Sequence, residues 1–271
     1  MAEARVAARW AGAGYYALLA LFLYMPIFLL IVFSFNDSVI LAFPLKGFTL
    51  EWYHELLQAE ELLASIKNSL LVGFLASAVS LALGTLAAIA IMRFRFRGRD
   101  TFLSFASLPL VIPYVVLGVA LLILFSALGI DLYLWTVAIG HVVINVPYVM
   151  LIVAARLAGF QANLEEAAMD LGATYWVTLT KVTLPLSAPA LVAAFLSSFT
   201  TSFDEFTLAF FLAGTQNTLP VYLYSQLRFP SRLPLAVSLA AVVMVVSILI
   251  LLLSEWLRRI GAGASKTKGI K

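Results

Sequence analysis

The feature that most constrains this chain is a succession of apolar runs, each about as long as a bilayer is thick. Six segments qualify: Tyr15–Phe35, Asn68–Met92, Thr101–Leu128, Leu132–Ala155, Leu186–Leu212 and Leu235–Leu257. A helix needs about 20 largely apolar residues to cross a hydrocarbon core roughly 30 Å thick. In lipid every backbone N–H and C=O must find a partner within the protein, which helices achieve segment by segment. The expected fold class is all-α: a polytopic membrane protein with six transmembrane helices. Composition agrees, since 63% of the residues are hydrophobic and only 11% charged, against roughly a quarter charged in a soluble domain. Pro26, Pro109, Pro113, Pro147 and Pro189 fall inside or near the starts of these runs. Neighbouring helices can satisfy the carbonyls that proline frees, so bends rather than breaks are expected there.

Orientation follows from Lys and Arg, which concentrate on the cytoplasmic side of membrane proteins. With the N-terminus inside, the inner segments hold Arg5, Arg9, Arg93, Arg95, Arg97, Arg99, Arg156, Lys181, Arg258, Arg259, Lys266, Lys268 and Lys271. The outer segments hold only Lys46, Lys67, Arg228 and Arg232, together with Asp37, Glu51, Glu55, Glu60, Glu61 and Asp131. Both termini are therefore expected in the cytoplasm. Residues 1–14 form an inner N-terminal segment, 15–258 the membrane domain, and 259–271 an inner tail expected to be disordered. Arg5 and Arg9 ahead of an apolar run also resemble a secretory leader. That run exceeds the roughly 7–15 residues of a leader core, and no small-x-small cleavage site follows it, so it is expected to persist as the first membrane helix.

Several chemistries are excluded. Cysteine is absent, which removes disulfides and thiolate metal sites, and His54 and His141 are too few for a His-rich metal site. No G-x-x-x-x-G-K-[ST] occurs, so the chain cannot cradle nucleotide phosphates by a P-loop. No H-E-x-x-H, G-x-S-x-G or pair of aspartates on separate runs supports an intramembrane enzyme. The basic turn Arg93–Asp100 alternates Arg with Phe, as expected of positive-inside anchoring with interfacial aromatics; a lipid head-group site is the alternative.

One inner segment departs from the apolar pattern: Glu165 to Pro185, reading EEAAMDLGATYWVTLTKVTLP. On a helix, Glu166, Met169, Asp170 and Ala173 share one side at i, i+3, i+4 and i+7. The adjoining alanines let another surface approach closely, and Gly172 is suited to end or turn the helix. The expected element is a short helix parallel to the membrane, with a small-residue face and an acidic edge, suited to docking in a groove on another protein.

The spacing Glu166-Ala167-Ala168, three residues, Gly172, nine residues, Val182, one residue, Leu184-Pro185 resembles the EAA loop of ABC importer permeases. Further similarity to the spermidine/putrescine branch of that family, in its permease subunit of the second type, lies in Ser34-Phe35-Asn36, Gly47-Phe48-Thr49-x-x-Trp52-Tyr53, Arg93–Gly98, Leu128-Gly129-Ile130 and Ser202-Phe203-Asp204-Glu205. The resemblance implies a type I ABC importer transmembrane domain at the bacterial inner membrane. It makes 160–185 the coupling loop and assigns ATPase coupling to Glu165, Glu166, Ala167, Ala168, Asp170, Gly172, Leu184 and Pro185. It also implies a dimer of ATP-binding subunits carrying ATP and Mg, a second, different permease chain, and an extracytoplasmic substrate-binding protein. This chain itself would bind no cofactor, metal or nucleic acid. Related permeases carry iron, opines, phosphonates and thiamine, so a polyamine is the leading expectation among several.

The fifth run contains LSSFTTSFDEFTLAFF. Ser198, Ser202 and Glu205 share one helical face, and Thr200 and Asp204 another. A charge at the centre of a lipid-facing helix costs about 2.5–3.5 kcal/mol on insertion scales, so Asp204 and Glu205 must face protein, water or a counter-charge. One reading places Ser198, Ser202, Phe203, Asp204 and Glu205 on a translocation path for a cationic amine, with Phe199, Phe203 and Phe206 as apolar or cation–π walls; the other makes the acids an ion pair or hydrogen bond to a partner permease. His141 and Asn145, one turn apart before Pro147, are expected to bond carbonyls freed by that proline. Tyr222, Tyr224, Arg228 and Arg232 could touch a docked binding protein. An ion-coupled secondary transporter working through Asp204 and Glu205 is the remaining alternative, and it leaves the EAA spacing without purpose.

Overall fold

The structure, a computed structural model, describes residues 2–159, 163–246 and 248–249. The tail 259–271, the end of the sixth run and the first residues of the loop 160–185 lie outside them. The chain divides into two compact units, residues 60–222 and the two flanking segments. Among the described residues there are helices and one isolated β-bridge, between Asn36 and Phe48, but no strand.

In the flanking unit, α1 (Ala2–Phe33) is a continuous helix through Pro26. Its apolar stretch Gly12–Phe33 is long enough to span a bilayer, and none of it is buried within the chain. The segment after it is knotted by side chains. Asn36 is fully buried and its side chain accepts from Lys46 N–H, while the Trp52 indole donates to the Asn36 carbonyl at 3.0 Å. Ser34 Oγ lies 2.6 Å from the Tyr53 hydroxyl, and Ser238 Oγ donates to the Ser34 carbonyl. This pins α2 (Glu51–Gln58) and the apolar helix Pro230–Val246 to the end of α1. The outer-loop sequence expected to be helical is so: α2 is followed directly by α3 (Glu60–Arg93).

The central unit is built on α3, α6 (Leu134–Ala158) and α9 (Leu184–Asp204). Helix association in lipid lacks a hydrophobic drive between helices and depends on small residues that let backbones approach. Helix α3 supplies such a face, burying Ser69, Gly73, Ala76, Ser77, Ser80, Gly84 and Ala88 at helical spacing. A Cβ built on Gly84 would lie 2.7 Å from Val149 Cγ1 and 2.9 Å from the Val146 carbonyl, so α3 and α6 meet there at backbone contact. Two apolar clusters fill the remainder. One gathers Val72, Val137, Ile144, Leu208 and Leu212; the other gathers Ala88, Val149, Met150, Val153, Leu157 and Leu179.

Among the described residues, four helices are long and apolar enough to cross a membrane, or five if a bent pair counts as one. The bent pair is the third run: α4 (Arg99–Ser107), a 3-10 turn at Leu108–Leu110, and α5 (Tyr114–Ala127), the two halves meeting at 101°. Pro109 and Pro113 account for the turn, since neither can donate to the ladder and Pro113 disfavours helical dihedrals at Ile112. Pro147 and Pro189 sit inside helices that continue through them. The fifth run also differs from a single span: α9 stops at Asp204 and a six-residue helix, α10 (Thr207–Leu212), follows.

Candidate functional site

Two constellations in the central unit gather the polar residues that the sequence singles out. The first is the loop beyond α6. Helix α7 (Asn163–Asp170) ends in a Schellman motif: Gly172 has φ +89°, its N–H donates to the Met169 carbonyl at 2.9 Å, and Ala173 N–H donates to the Ala168 carbonyl at 3.0 Å. Glycine at that position avoids the strain a Cβ brings to left-handed dihedrals. Glu166, Ala167 and Asp170 are exposed, Ala168 is half-buried, and Leu171 is 90% exposed. Next come α8 (Tyr175–Thr178), capped by the Thr174 side chain, and a π-helical turn at Leu179–Thr183. These run without interruption into α9, with half-buried Leu184 and exposed Pro185 in its first turn, where proline's missing donor costs nothing.

Glu165 departs from the other acids of the loop. Its carboxylate lies 2.8 Å from Arg93 Nε, and accepts from Arg93 Nη2 at 3.0 Å and from the Thr183 hydroxyl at 2.8 Å. The Arg93 and Glu165 side chains are only 18% and 13% exposed. Arg93, read from sequence as one more basic residue of an inner turn, is thus an internal partner. Arg95, Arg97 and Arg99 are exposed.

The second constellation lies between α6 and the α9–α10 junction. His141 is fully buried; its Nδ1 is hydrogen-bonded to Ser202 Oγ, and its Nε2 lies 3.3 Å from Glu205 Oε2. Asn145 donates to the Ser198 carbonyl. The expectation that this pair would bond carbonyls freed by Pro147 is therefore corrected: both residues reach across to α9. Glu205 explains the helix break. Its backbone is extended, and its two carboxylate oxygens accept from the N–H groups of Thr207, Leu208 and Ala209 at 2.8, 2.8 and 3.2 Å. An acid that caps three orphan donors, at the positive end of a helix, is stabilised by both hydrogen bonds and the helix dipole. The far end of α10 is held by Thr136 Oγ1, which donates to the Leu212 carbonyl at 2.7 Å.

The five fifth-run residues thus divide. Ser198, Ser202 and Glu205 are buried towards α6. Phe203 is half-buried and stacks on Phe199, which stacks on Phe195, with ring centroids 6.0 and 6.5 Å apart. Asp204 is exposed, on the side that also presents Leu196 and Thr200. Of the four residues considered for a docked protein, Tyr222 is buried and Tyr224, Arg228 and Arg232 are exposed.

An all-helical unit with a small-residue helix interface, a bent helix pair and a polar loop running into a membrane-length helix is the build of a helical integral membrane protein. The chain belongs to the family of binding-protein-dependent transport system inner membrane components, whose pattern it matches over residues 80–260. It is 34% identical over 257 residues to the spermidine/putrescine transport system permease protein PotC of Escherichia coli (strain K12), covering 94% of this chain and 95% of that one. It is 36% identical over 215 residues to the putrescine transport system permease protein PotI of the same strain, covering 76% of each. In fold it is similar to a bacterial alginate ABC transporter solved with an alginate pentasaccharide-bound periplasmic protein, with a TM-score of 0.67, 20% identity, and 92% of each chain covered. Membership makes this chain an ABC importer permease and carries no catalytic role.

Proposed function

We propose that this chain is the polyamine-conducting permease of an ATP-driven importer in the bacterial inner membrane. The observation that carries the substrate is the full-length similarity to a spermidine/putrescine permease, together with the similarity to a putrescine permease. The chain crosses the membrane six times with both termini in the cytoplasm, as the distribution of Lys and Arg favours. The bent pair α4–α5 supplies one span, and the run Leu235–Leu257 the last.

Helix α7 is the coupling helix. It presents Glu166, Ala167 and Asp170 outward, is closed by Gly172, and runs through α8 and the π-turn into α9. A pair of ATP-binding subunits, holding ATP and Mg, grips α7; this chain holds no cofactor of its own. A second, homologous permease completes the path, and a binding protein delivers substrate from outside. Thr200 and Asp204 on the exposed side of α9, beside the Phe195–Phe199–Phe203 ladder, offer an ammonium group a carboxylate and aromatic faces. An exposed acid on a membrane helix is costly in lipid, so this side meets the partner permease or water. Ser198, Ser202 and Glu205 hold α9 and α10 in register behind it.

The test is uptake of labelled spermidine and putrescine into proteoliposomes containing the assembled importer, with excess unlabelled opine, phosphonate, ferric iron or polyamine as competitors. Competition by polyamines alone is expected. Uptake that ignores polyamines and follows another competitor contradicts the substrate assignment.

A further inference from the structure

The Glu-Ala-Ala spacing begins at Glu166, yet the most elaborate polar contact of the loop is made by the residue before it. Glu165 joins three elements distant in sequence. Arg93, the last residue of the 34-residue helix α3, approaches the carboxylate with Nε and Nη2. Only the Nη2 contact is aligned as a hydrogen bond; Nε adds charge at 2.8 Å. Thr183, the last residue of the π-turn, donates to the same Oε1 at 2.8 Å. Arg93 Nη1 also reaches the carbonyl of Leu157, near the end of α6, at 3.4 Å.

We infer that Arg93, Glu165 and Thr183 form a clamp transmitting displacement of α7 to α3 and α9 together, with Arg93 as its positioning residue. The inference rests on α7 being the element that the ATP-binding subunits move.

First, the clamp is sited where force must pass. α7 is eight residues long and is joined to the long helix Tyr175–Asp204 only through the turn 171–174, so by itself it is too short to hold a fixed angle to the membrane helices. Second, the contact is stiff. A charge-assisted hydrogen bond between mostly buried partners is shorter and stronger than a neutral one, and is less screened by salt than an exposed pair. Both charges also suit the helix ends they occupy: Glu165 in the first turn of α7 and Arg93 in the last turn of α3. Third, Thr183 lies where the long helix Tyr175–Asp204 departs from α geometry. A π-turn inserts an extra residue and is a recurrent feature of functional sites in helices; here it sets the Thr183 hydroxyl on Glu165. Leu179 and Thr178, buried beneath α7, complete the contact with Met169 and Tyr175 around a small cavity.

A clamp of this kind makes α3 and α9 follow α7 as one body. Without it α7 would still dock, but its motion would be absorbed in the loop. Arg93→Gln removes the charge and the Leu157 tether; Thr183→Val removes only the hydroxyl while nearly keeping the shape.

The test uses the complete importer with binding protein in proteoliposomes, and the chain's lack of native cysteine. Leu171→Cys, at the 90% exposed end of α7 and outside the clamp, is paired with a cysteine in the groove of the ATP-binding subunit. Cross-linking reports docking, basal ATP hydrolysis reports assembly, and uptake per ATP hydrolysed reports transmission. For Arg93→Gln the expected result is cross-linking and basal hydrolysis within twofold of the parent, with uptake per ATP reduced at least tenfold. For Thr183→Val a smaller reduction, about threefold, is expected from loss of one hydrogen bond of modest net strength. If Arg93→Gln prevents assembly, Thr183→Val carries the test alone. Unchanged uptake per ATP in an assembled variant overturns the clamp while leaving docking intact. Absence of cross-linking in the parent overturns the docking reading, and the clamp with it.

Discussion

Replacing Gly172 separates two explanations of why a glycine stands there. Its φ of +89° lies in the region that favours glycine, while a Cβ at this position finds nothing within 4 Å. The penalty for substitution is therefore conformational and not steric. A non-glycine residue forced into left-handed dihedrals costs about 1–2 kcal/mol, less for Asn, whose side chain tolerates that region. The chain can keep the Schellman bonds and bear the strain, or release it by unwinding the last turn of α7, which displaces Leu171 and Asp170. A bias of 1–2 kcal/mol is roughly a 5–30-fold change in the ratio of the two arrangements. Gly172→Ala and Gly172→Leu are thus expected to impair ATP-driven uptake to a similar extent, about 5–30-fold, and Gly172→Asn by only a few-fold. The assay is initial uptake rate at matched membrane abundance. Near-normal transport in Gly172→Ala with a severe defect in Gly172→Leu would show that bulk, not backbone strain, governs the position, and would refute this reasoning. Normal transport in Gly172→Leu would refute any need for a fixed helix end.

Substitutions at two further positions probe the packing of the central unit. Glu205→Ala leaves the N–H groups of Thr207, Leu208 and Ala209 without their acceptor; a lost cap plus newly unpaired buried donors should cost about 2–4 kcal/mol, read as a lowered unfolding midpoint in detergent. Glu205→Gln keeps one acceptor oxygen and should cost less than half of that, so equal costs would contradict the capping role. Gly84→Leu drives side-chain atoms into Val149 and the Val146 carbonyl; overpacking of about 1–3 kcal/mol or more should cut the amount of folded protein recovered from membranes, whereas wild-type yield would contradict the close approach of α3 and α6.

The parts of the molecule that could be read in the sequence are those governed by length or by one special residue. Apolar run length locates α6 and the C-terminal ends of α1 and α3 within a few residues, whereas α1 and α3 begin earlier than their apolar runs, at Ala2 and Glu60. Pro109 and Pro113 mark the 101° bend between α4 and α5, and Gly172 marks the end of α7 because no other residue adopts its φ so cheaply. What could not be read depends on partners distant in sequence. The break after Asp204 carries no Pro or Gly; it exists because Glu205 turns its carboxylate onto the next three N–H groups, and an acid in an apolar run is equally consistent with a substrate path. Its approach to His141 was invisible for the same reason, although the i, i+4 and i+7 spacing of Ser198, Ser202 and Glu205 did group the three on the buried face. Arg93 is indistinguishable by composition from Arg95, Arg97 and Arg99. The one available signal was its place at the end of an apolar run, one helix turn from buried Ile89. The π-turn at Leu179–Thr183 has no marker in its residues.

Polyamine conduction by this chain is expected only when α7 is driven by ATP-binding partners. The most direct measurement is ATP-dependent uptake of labelled spermidine by the assembled importer, parent beside Glu166→Lys. Glu166 is exposed and makes no described contact that folding needs, so charge reversal there should leave membrane abundance unchanged and abolish uptake. Spermidine uptake that persists in Glu166→Lys at the parent rate, or that proceeds without ATP, would contradict the account.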